Sequence, residues 1–192
     1  MVAYSLIPAG SDDMKKTICL ALFLLAPLPA SGQQHASPYA DQQTRDIKAL
    51  SPDEIKGYLT GQGMGLAKAA ELNGYPGPLH VLELAAELKL SEEQKQQVEE
   101  IRQVMLQEVK RLGPLIVENE RELDALFTSG KITEVKLRTL VEEISRLQGE
   151  LKTAHLQAHL DLKSILSEEQ IKQYNQLRGY EAKKAGAQPK SH

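Results

Sequence analysis

The chain of 192 residues contains one cysteine, two phenylalanines and no tryptophan, so mainly leucine, isoleucine, valine, methionine and alanine must fill its core. Its formal net charge is −3, and residues of both signs are interleaved along it. This pattern argues against nucleic-acid binding driven by a basic surface.

The N-terminus, residues 1–32, has the pattern of a secretory signal peptide. Two lysines precede an apolar run over 17–26, and prolines and small residues follow it. The run is shorter than the roughly 20 apolar residues that a membrane span needs, so no stable membrane anchor is predicted. Small residues place cleavage after Gly32, and Met14 is the expected translation start.

The only cysteine, Cys19, lies inside this apolar run. Thr17 and Ile18 precede it, whereas a lipoprotein signal would have small residues there. The mature chain, about residues 33–192, is therefore predicted to be one domain without a disulfide or a thiolate metal site. The predicted localisation is a bacterial periplasm, reached through the cleaved signal.

The mature chain divides into three predicted parts: a loose segment over 33–50, a helical domain over 51–180 and a disordered polar tail over 181–192. Three short helices are predicted at the start of the domain, over 52–60, 66–72 and 79–88. The first has a capping box, Ser51-Pro-Asp-Glu54, with proline at the first helical position.

Two long helical patterns follow. The first starts at Ser91 and repeats apolar residues through Leu126, mostly at three- to four-residue spacing. Within it, Gly113-Pro114 predicts a kink or a break, because proline removes a helical hydrogen bond. The second starts near Thr133 and continues to Ile165, with a charged face opposite its apolar stripe.

A last helix is predicted from Ser167 to about Arg178. No stretch shows sustained period-two alternation, so the predicted fold is all-α. It consists of a long antiparallel helical hairpin with shorter flanking helices. Gly149, inside the second long helix, is interpreted as a point where another helix packs closely, although simple tolerance of glycine is the alternative.

The sequence Leu-Ser-Glu-Glu-Gln occurs twice, each time at the start of a predicted helix. In both copies the serine is a predicted N-cap, the glutamates lie in the first turn and the glutamine occupies the capping-box position. The motif residues are Leu90, Ser91, Gln94, Leu166, Ser167 and Gln170.

The paired motifs, the signal and the helical hairpin resemble the bacterial periplasmic family with paired Leu-Thr-x-x-Gln motifs. This family includes the Spy and CpxP stress proteins and zinc-resistance-associated proteins. The resemblance covers about Leu79–Arg178, with serine at 91 and 167 where threonine is commoner.

The resemblance implies one of several roles. Spy-like members are ATP-independent chaperones that form cradle-shaped dimers, CpxP-like members restrain an envelope-stress sensor kinase, and metal-associated relatives bind zinc, nickel or cobalt. The expected partners are therefore unfolded protein clients or the periplasmic domain of a sensor kinase, together with a second copy of the chain in a homodimer. The motif residues are not a ligand set and do not choose among these roles.

The candidate metal site is centred on His155-Leu-Gln-Ala-His159. Two histidines at i,i+4 project from one helical face and can share a metal ion. His80 is the predicted third ligand, with Met64 and Glu83 as further donors. The alternative is that His155 and His159 are ordinary surface residues of an amphipathic helix.

No nucleophile set can be assembled from the mature chain, so no enzymatic activity is predicted. The leading hypothesis is a non-enzymatic envelope-stress protein of the Spy/CpxP type that requires no cofactor. The alternative is a heavy-metal-binding or metal-sensing protein for zinc, copper, nickel or cobalt. The predicted client surface consists of Arg102, Arg111, Leu112, Leu115 and Lys136.

Overall fold

The computed structural model describes residues 37–62 and 64–180. The predicted signal peptide, its cleavage point and the predicted C-terminal tail lie outside these residues. The described residues from Tyr39 to Tyr180 form one compact unit. The described residues contain helices and turns but no strand, and the predicted all-α fold is confirmed.

In the described part of the chain, a 3-10 helix at Gln42–Thr44 precedes six α-helices. They are α1 (Pro52–Thr60), α2 (Lys68–Glu71), α3 (Pro78–Glu83), α4 (Glu92–Thr128), α5 (Glu134–Lys163) and α6 (Glu168–Leu177). The predicted capping box at the start of α1 is present, with Ser51 and Glu54 bonded in both directions. The second and third helices are shorter than predicted, since α2 has four residues and α3 ends at Glu83.

The helices α4 and α5 form the predicted antiparallel hairpin. Gln94 at the start of α4 bonds to Ile165 just after α5, and Arg111 bonds to Glu150 farther along. Between these points, apolar side chains of the two helices pack into a common core. Its fully buried members are Val109, Leu112, Ile116, Leu147 and Leu151.

The predicted interruption at Gly113-Pro114 is not a break, because α4 runs through Pro114 as one helix of 37 residues. Leu112 and Ile116 are fully buried on either side of it, and this packing offsets the single hydrogen bond that the proline removes. Gly113 has a separate role. A Cβ at this position would lie 1.9 Å from the carbonyl oxygen of Tyr58, so only glycine lets the backbone of α1 pack onto α4.

The segment before α3 covers one side of the hairpin. Tyr58, Met64 and Leu66 pack against the core, and Gln148 of α5 donates to the hydroxyl of Tyr58 at 3.0 Å. Met64 therefore belongs to the packing of this segment. These contacts show that the segment before α3 is part of the domain and lies against the hairpin.

Residues 45–50, assigned by the sequence to a loose segment, are packed in the structure. Ile47 and Leu50 are buried against Val117 of α4. Lys48 adds two bonds to Asp124, one from its backbone amide at 3.2 Å and one from Nζ at 3.0 Å. The folded domain therefore begins before the predicted boundary at residue 51.

Candidate functional site

The two Leu-Ser-Glu-Glu-Gln copies meet at the base of the hairpin. Leu90 and Leu166 are buried in the same apolar cluster. In each copy the serine hydroxyl accepts a hydrogen bond from the backbone N–H of the glutamine, and the side-chain oxygen of the glutamine accepts one from the backbone N–H of the serine. Both predicted capping boxes are therefore present.

The glutamine side chains of the two copies also bond to each other. Nε2 of Gln94 donates to Oε1 of Gln170 at 2.9 Å, and Nε2 of Gln170 donates back to Oε1 of Gln94 at 3.1 Å. The second proton of each amide goes to backbone, from Gln94 to the Ile165 carbonyl and from Gln170 to the Leu88 carbonyl. Each motif glutamine thus caps its own helix. Its side chain also donates to a backbone carbonyl in the residues just before the other copy of the motif.

A buried polar cluster lies next to this junction. Tyr174 of α6 is fully buried, and its hydroxyl donates to Oε1 of Glu71 at 2.5 Å. The Tyr180 hydroxyl donates to the same oxygen at 2.8 Å. Burial, with the Glu71 carboxylate as a second cause, raises the pKa of Tyr174 above its ordinary value, so this tyrosine stays a donor.

His159 of α5 joins the cluster. Its Nδ1 donates to the Tyr75 carbonyl at 2.8 Å and lies 3.7 Å from Oε2 of Glu71. That carboxylate oxygen is buried and has no hydrogen-bond partner among the described residues. A Cβ at Gly77 would lie 2.9 Å from the His159 ring, so glycine there lets the chain pass over the histidine.

His155, one turn before His159, is also buried, with 8% of its surface exposed. Its Nε2 has no hydrogen-bond partner among the described residues. Burial, and to a lesser extent the neighbouring His159, lowers the pKa of His155, which keeps the ring neutral. The surface placement that the alternative interpretation gave to these two histidines is therefore wrong, while metal binding by them stays a prediction.

The predicted third ligand is placed differently. Nδ1 of His80 lies 2.8 Å from Oε2 of Glu83, in a partly exposed pair on α3. Within residues 37–62 and 64–180, no three His, Cys, Asp or Glu side chains are arranged to hold a metal ion. The structure thus does not assemble His80 with His155 and His159, and the three-histidine site stays a prediction.

An open groove runs along the hairpin between α4 and α5. It has a volume of 840 Å³, and among the described residues it is lined by these two helices and Ile165, so the described segment before α3 leaves it uncovered. Val104 projects into it with 62% of its surface exposed. The other apolar lining residues are Ile101, Met105, Ala154, Ala158 and Ile165.

Gly149 forms part of the groove wall. A Cβ built there meets no atom within 4 Å, so the close helix packing predicted at this position is absent from the described part of the chain. Arg111 lines the same groove and bridges Glu108 at 2.6 Å and Glu150 at 3.1 Å. The groove therefore combines an aliphatic floor with charged rims.

The LTXXQ motif family model matches residues 79–178, slightly more than half of the chain. The chain belongs to the LTXXQ motif family. This is the Spy/CpxP-like family of the predicted resemblance, whose members are typically periplasmic. No curated protein and no solved structure matches the chain. None of the described helices has the combined length and apolar character of a bilayer span.

The predicted client surface of this LTXXQ protein needs one correction. Leu112 is fully buried in the hairpin core and presents no surface to a client. Its place on the apolar stripe of α4 explains this burial. Arg111 lines the groove, and Arg102 is a partly buried residue paired with Glu99 at 3.5 Å. Leu115 and Lys136 are exposed outside the groove.

Sequence reasoning missed Val104 and Glu71. Val104 lies three residues after Ile101, a spacing that marks a second apolar edge on α4 beside the main stripe. Glu71 had no comparable signal, because its partner Tyr174 is 103 residues away and only the fold brings them together.

Replacing Gln94 or Gln170 by alanine is expected to lower the free energy of unfolding by about 1–3 kcal/mol, because partly buried carbonyl and amide groups lose their partners. The double variant is expected to lose less than the sum of the two, because the glutamines bond to each other. Urea unfolding of the four proteins measures this coupling. Gln96→Ala, which removes only an exposed bond to Glu100, is the control. Strict additivity would contradict the reciprocal pair.

Proposed function

We propose that this LTXXQ protein is a non-enzymatic periplasmic envelope-stress protein that binds apolar segments of non-native proteins in the α4–α5 groove. The observation that carries the proposal is the groove itself, an uncovered aliphatic channel of 840 Å³. Uncovered apolar surface of this kind commonly marks a protein-binding site. Membership of the LTXXQ family supports the coarser part of the proposal, a periplasmic protein of the Spy/CpxP-like type.

The chemistry of the groove suits clients of varied sequence. Its floor is formed by aliphatic side chains and Met105, whose flexible thioether adapts to different partners. Binding through such contacts requires no nucleotide and is weak enough for release. Charged rims speed the first encounter without fixing one sequence.

Gly149 supports this use of the groove. A glycine in an exposed helix interior costs about 1 kcal/mol relative to alanine, and no atom of the described chain packs against it. The missing side chain leaves room for a client backbone to approach α5 closely. A CpxP-type role, with the periplasmic domain of a sensor kinase as the bound partner, would use the same surface.

Gly149→Leu is the sharpest test. The added side chain meets open space and favours the helix, so the variant is expected to be at least as stable as the parent protein. The same side chain partly fills the groove, so suppression of client aggregation is expected to fall severalfold. Light scattering of a reduced client, with stoichiometric amounts of each protein, measures this loss.

Ser145→Leu is the matched control, since it adds leucine at an exposed position of α5 outside the groove. It is expected to retain full suppression. A parent protein that leaves client aggregation unchanged would refute the proposed function. Equal suppression by the parent and Gly149→Leu proteins would show that clients do not bind in the groove. Sedimentation of the same samples reports on the predicted homodimer.

Metal binding is the second candidate function, and one observation favours it. The Nε2 atom of His155 is buried without a hydrogen-bond partner from the described residues, and in a neutral His159 ring the donation from Nδ1 to a carbonyl leaves Nε2 as the acceptor nitrogen. Metal-binding histidines commonly donate their other nitrogen in this way. Recruitment of His80 would require movement of α3, because the described residues hold no three-ligand group.

A thermal melt of the metal-stripped protein tests this second function. Zinc, copper, nickel or cobalt is expected to raise Tm, since a ligand that binds the native state stabilises it. His155→Ala is expected to abolish the rise, while Gln157→Ala, an exposed change on the same helix, is expected to preserve it. Melts that do not move with any of the four metals would exclude the metal function.

A further inference from the structure

We infer that the preferred occupant of the groove is a cationic amphipathic helix, with its apolar face on the aliphatic floor and its Lys or Arg residues on the groove rim. This inference rests on the proposed function and names the chemical class of client. The charge of the groove lining, the position of two carboxylates and the exposed apolar residues beside them favour this class of partner.

The lining of the groove carries an excess of negative charge. Four carboxylates and one guanidinium contribute to it. The guanidinium, Arg111, is already bound to Glu108 and Glu150. Arg146 binds Glu150 as well, so the charge of this half of the groove is largely compensated within the protein.

The remaining two carboxylates, Glu100 and Asp161, form no ion pair with any side chain in the described part of the protein. Glu100 accepts a hydrogen bond from the Gln96 amide at 3.0 Å, and Asp161 accepts one from the Gln157 amide at 2.7 Å. Amide donors satisfy some of the oxygen lone pairs but leave the negative charge in place. Both groups can therefore accept a cation from a bound partner.

The antiparallel register brings these two carboxylates to the same end of the groove. Gln94 lies against Ile165 and Arg111 lies against Glu150, so a residue near 100 on α4 lies across from a residue near 160 on α5. Glu100 and Asp161 are thus positioned on opposite rims of one short stretch. A partner that enters there meets negative charge on both sides.

Apolar surface lies beside the two carboxylates. Ile101 adjoins Glu100 on α4, Val104 follows one turn later and Ile165 lies one turn after Asp161. A helix that presents apolar side chains at i, i+3 and i+4 fills such a channel. The long alkyl stems of lysine and arginine can lie on the floor while their charged ends reach the rims. An anionic helix would place like charges together, so the groove discriminates against it.

Two helical peptides with identical Leu/Ala apolar faces test the inference. One carries Lys on its polar face and the other carries Glu. Fluorescence anisotropy at low salt gives Kd for each peptide with the parent protein. We expect the Lys peptide to bind at least tenfold more tightly than the Glu peptide, and we expect its affinity to fall as salt is added.

A pair of variants locates the effect. The double variant Glu100→Gln/Asp161→Asn is expected to bind the Lys peptide about fivefold more weakly than the parent protein does. The affinity of this variant is also expected to depend less on salt concentration. Glu122→Gln with Glu142→Gln makes the same change in net charge at exposed positions outside the groove, and is expected to leave Kd unchanged.

The outcomes separate this inference from the function on which it rests. If both peptides bind equally well, the charge preference is wrong while binding in the groove stands. An equal loss in both pairs of variants would overturn the assignment to Glu100 and Asp161. If neither peptide binds but client aggregation is still suppressed, the inference fails alone, and if suppression is also absent, the proposed function fails with it.

Discussion

The reciprocal amide pair of Gln94 and Gln170 is the interaction on which the rest of the structure depends. Each amide uses both of its protons and bonds across the junction, so the starts of α4 and α6 are fixed to each other. Leu90 and Leu166 bury the apolar side of the same junction. The two copies of the family motif therefore connect the starts of α4 and α6, at the end of the hairpin where α4 begins and α5 ends.

With the base closed, the two sides of the hairpin have different environments. The segment before α3 packs on one side, where Gly113 allows the backbone of α1 to approach α4. Glu71 accepts hydrogen bonds from the hydroxyls of Tyr174 in α6 and of Tyr180 just after α6, and these bonds hold the segment against the C-terminal end of the domain. No described residue covers the other side, which carries Val104 and Gly149 and forms the groove. Residues outside the family match thus determine which surface of the hairpin is available to partners.

The sequence predicted the features that depend on local chemistry. Both capping boxes, the starts of the long helices and the hairpin follow from side chains close in sequence. Features that depend on packing were predicted incorrectly or missed. Pro114 suggested a kink or a break, and the break is absent because the buried neighbours of Pro114 keep α4 continuous. Leu112 was placed on the surface although its stripe faces the core. The Glu71 cluster joins residues about one hundred positions apart, a distance at which local patterns carry no signal.

The central claim is that clients bind on the open side of the hairpin, and site-specific labelling tests it most directly. The predicted mature chain contains no cysteine, so a single cysteine can carry an environment-sensitive fluorophore at Val104 in the groove or at exposed Lys56 on α1. Addition of a reduced, unfolded client is expected to shift the Val104 label towards apolar emission and to leave the Lys56 label unchanged. A shift at Lys56 with none at Val104 would contradict the account.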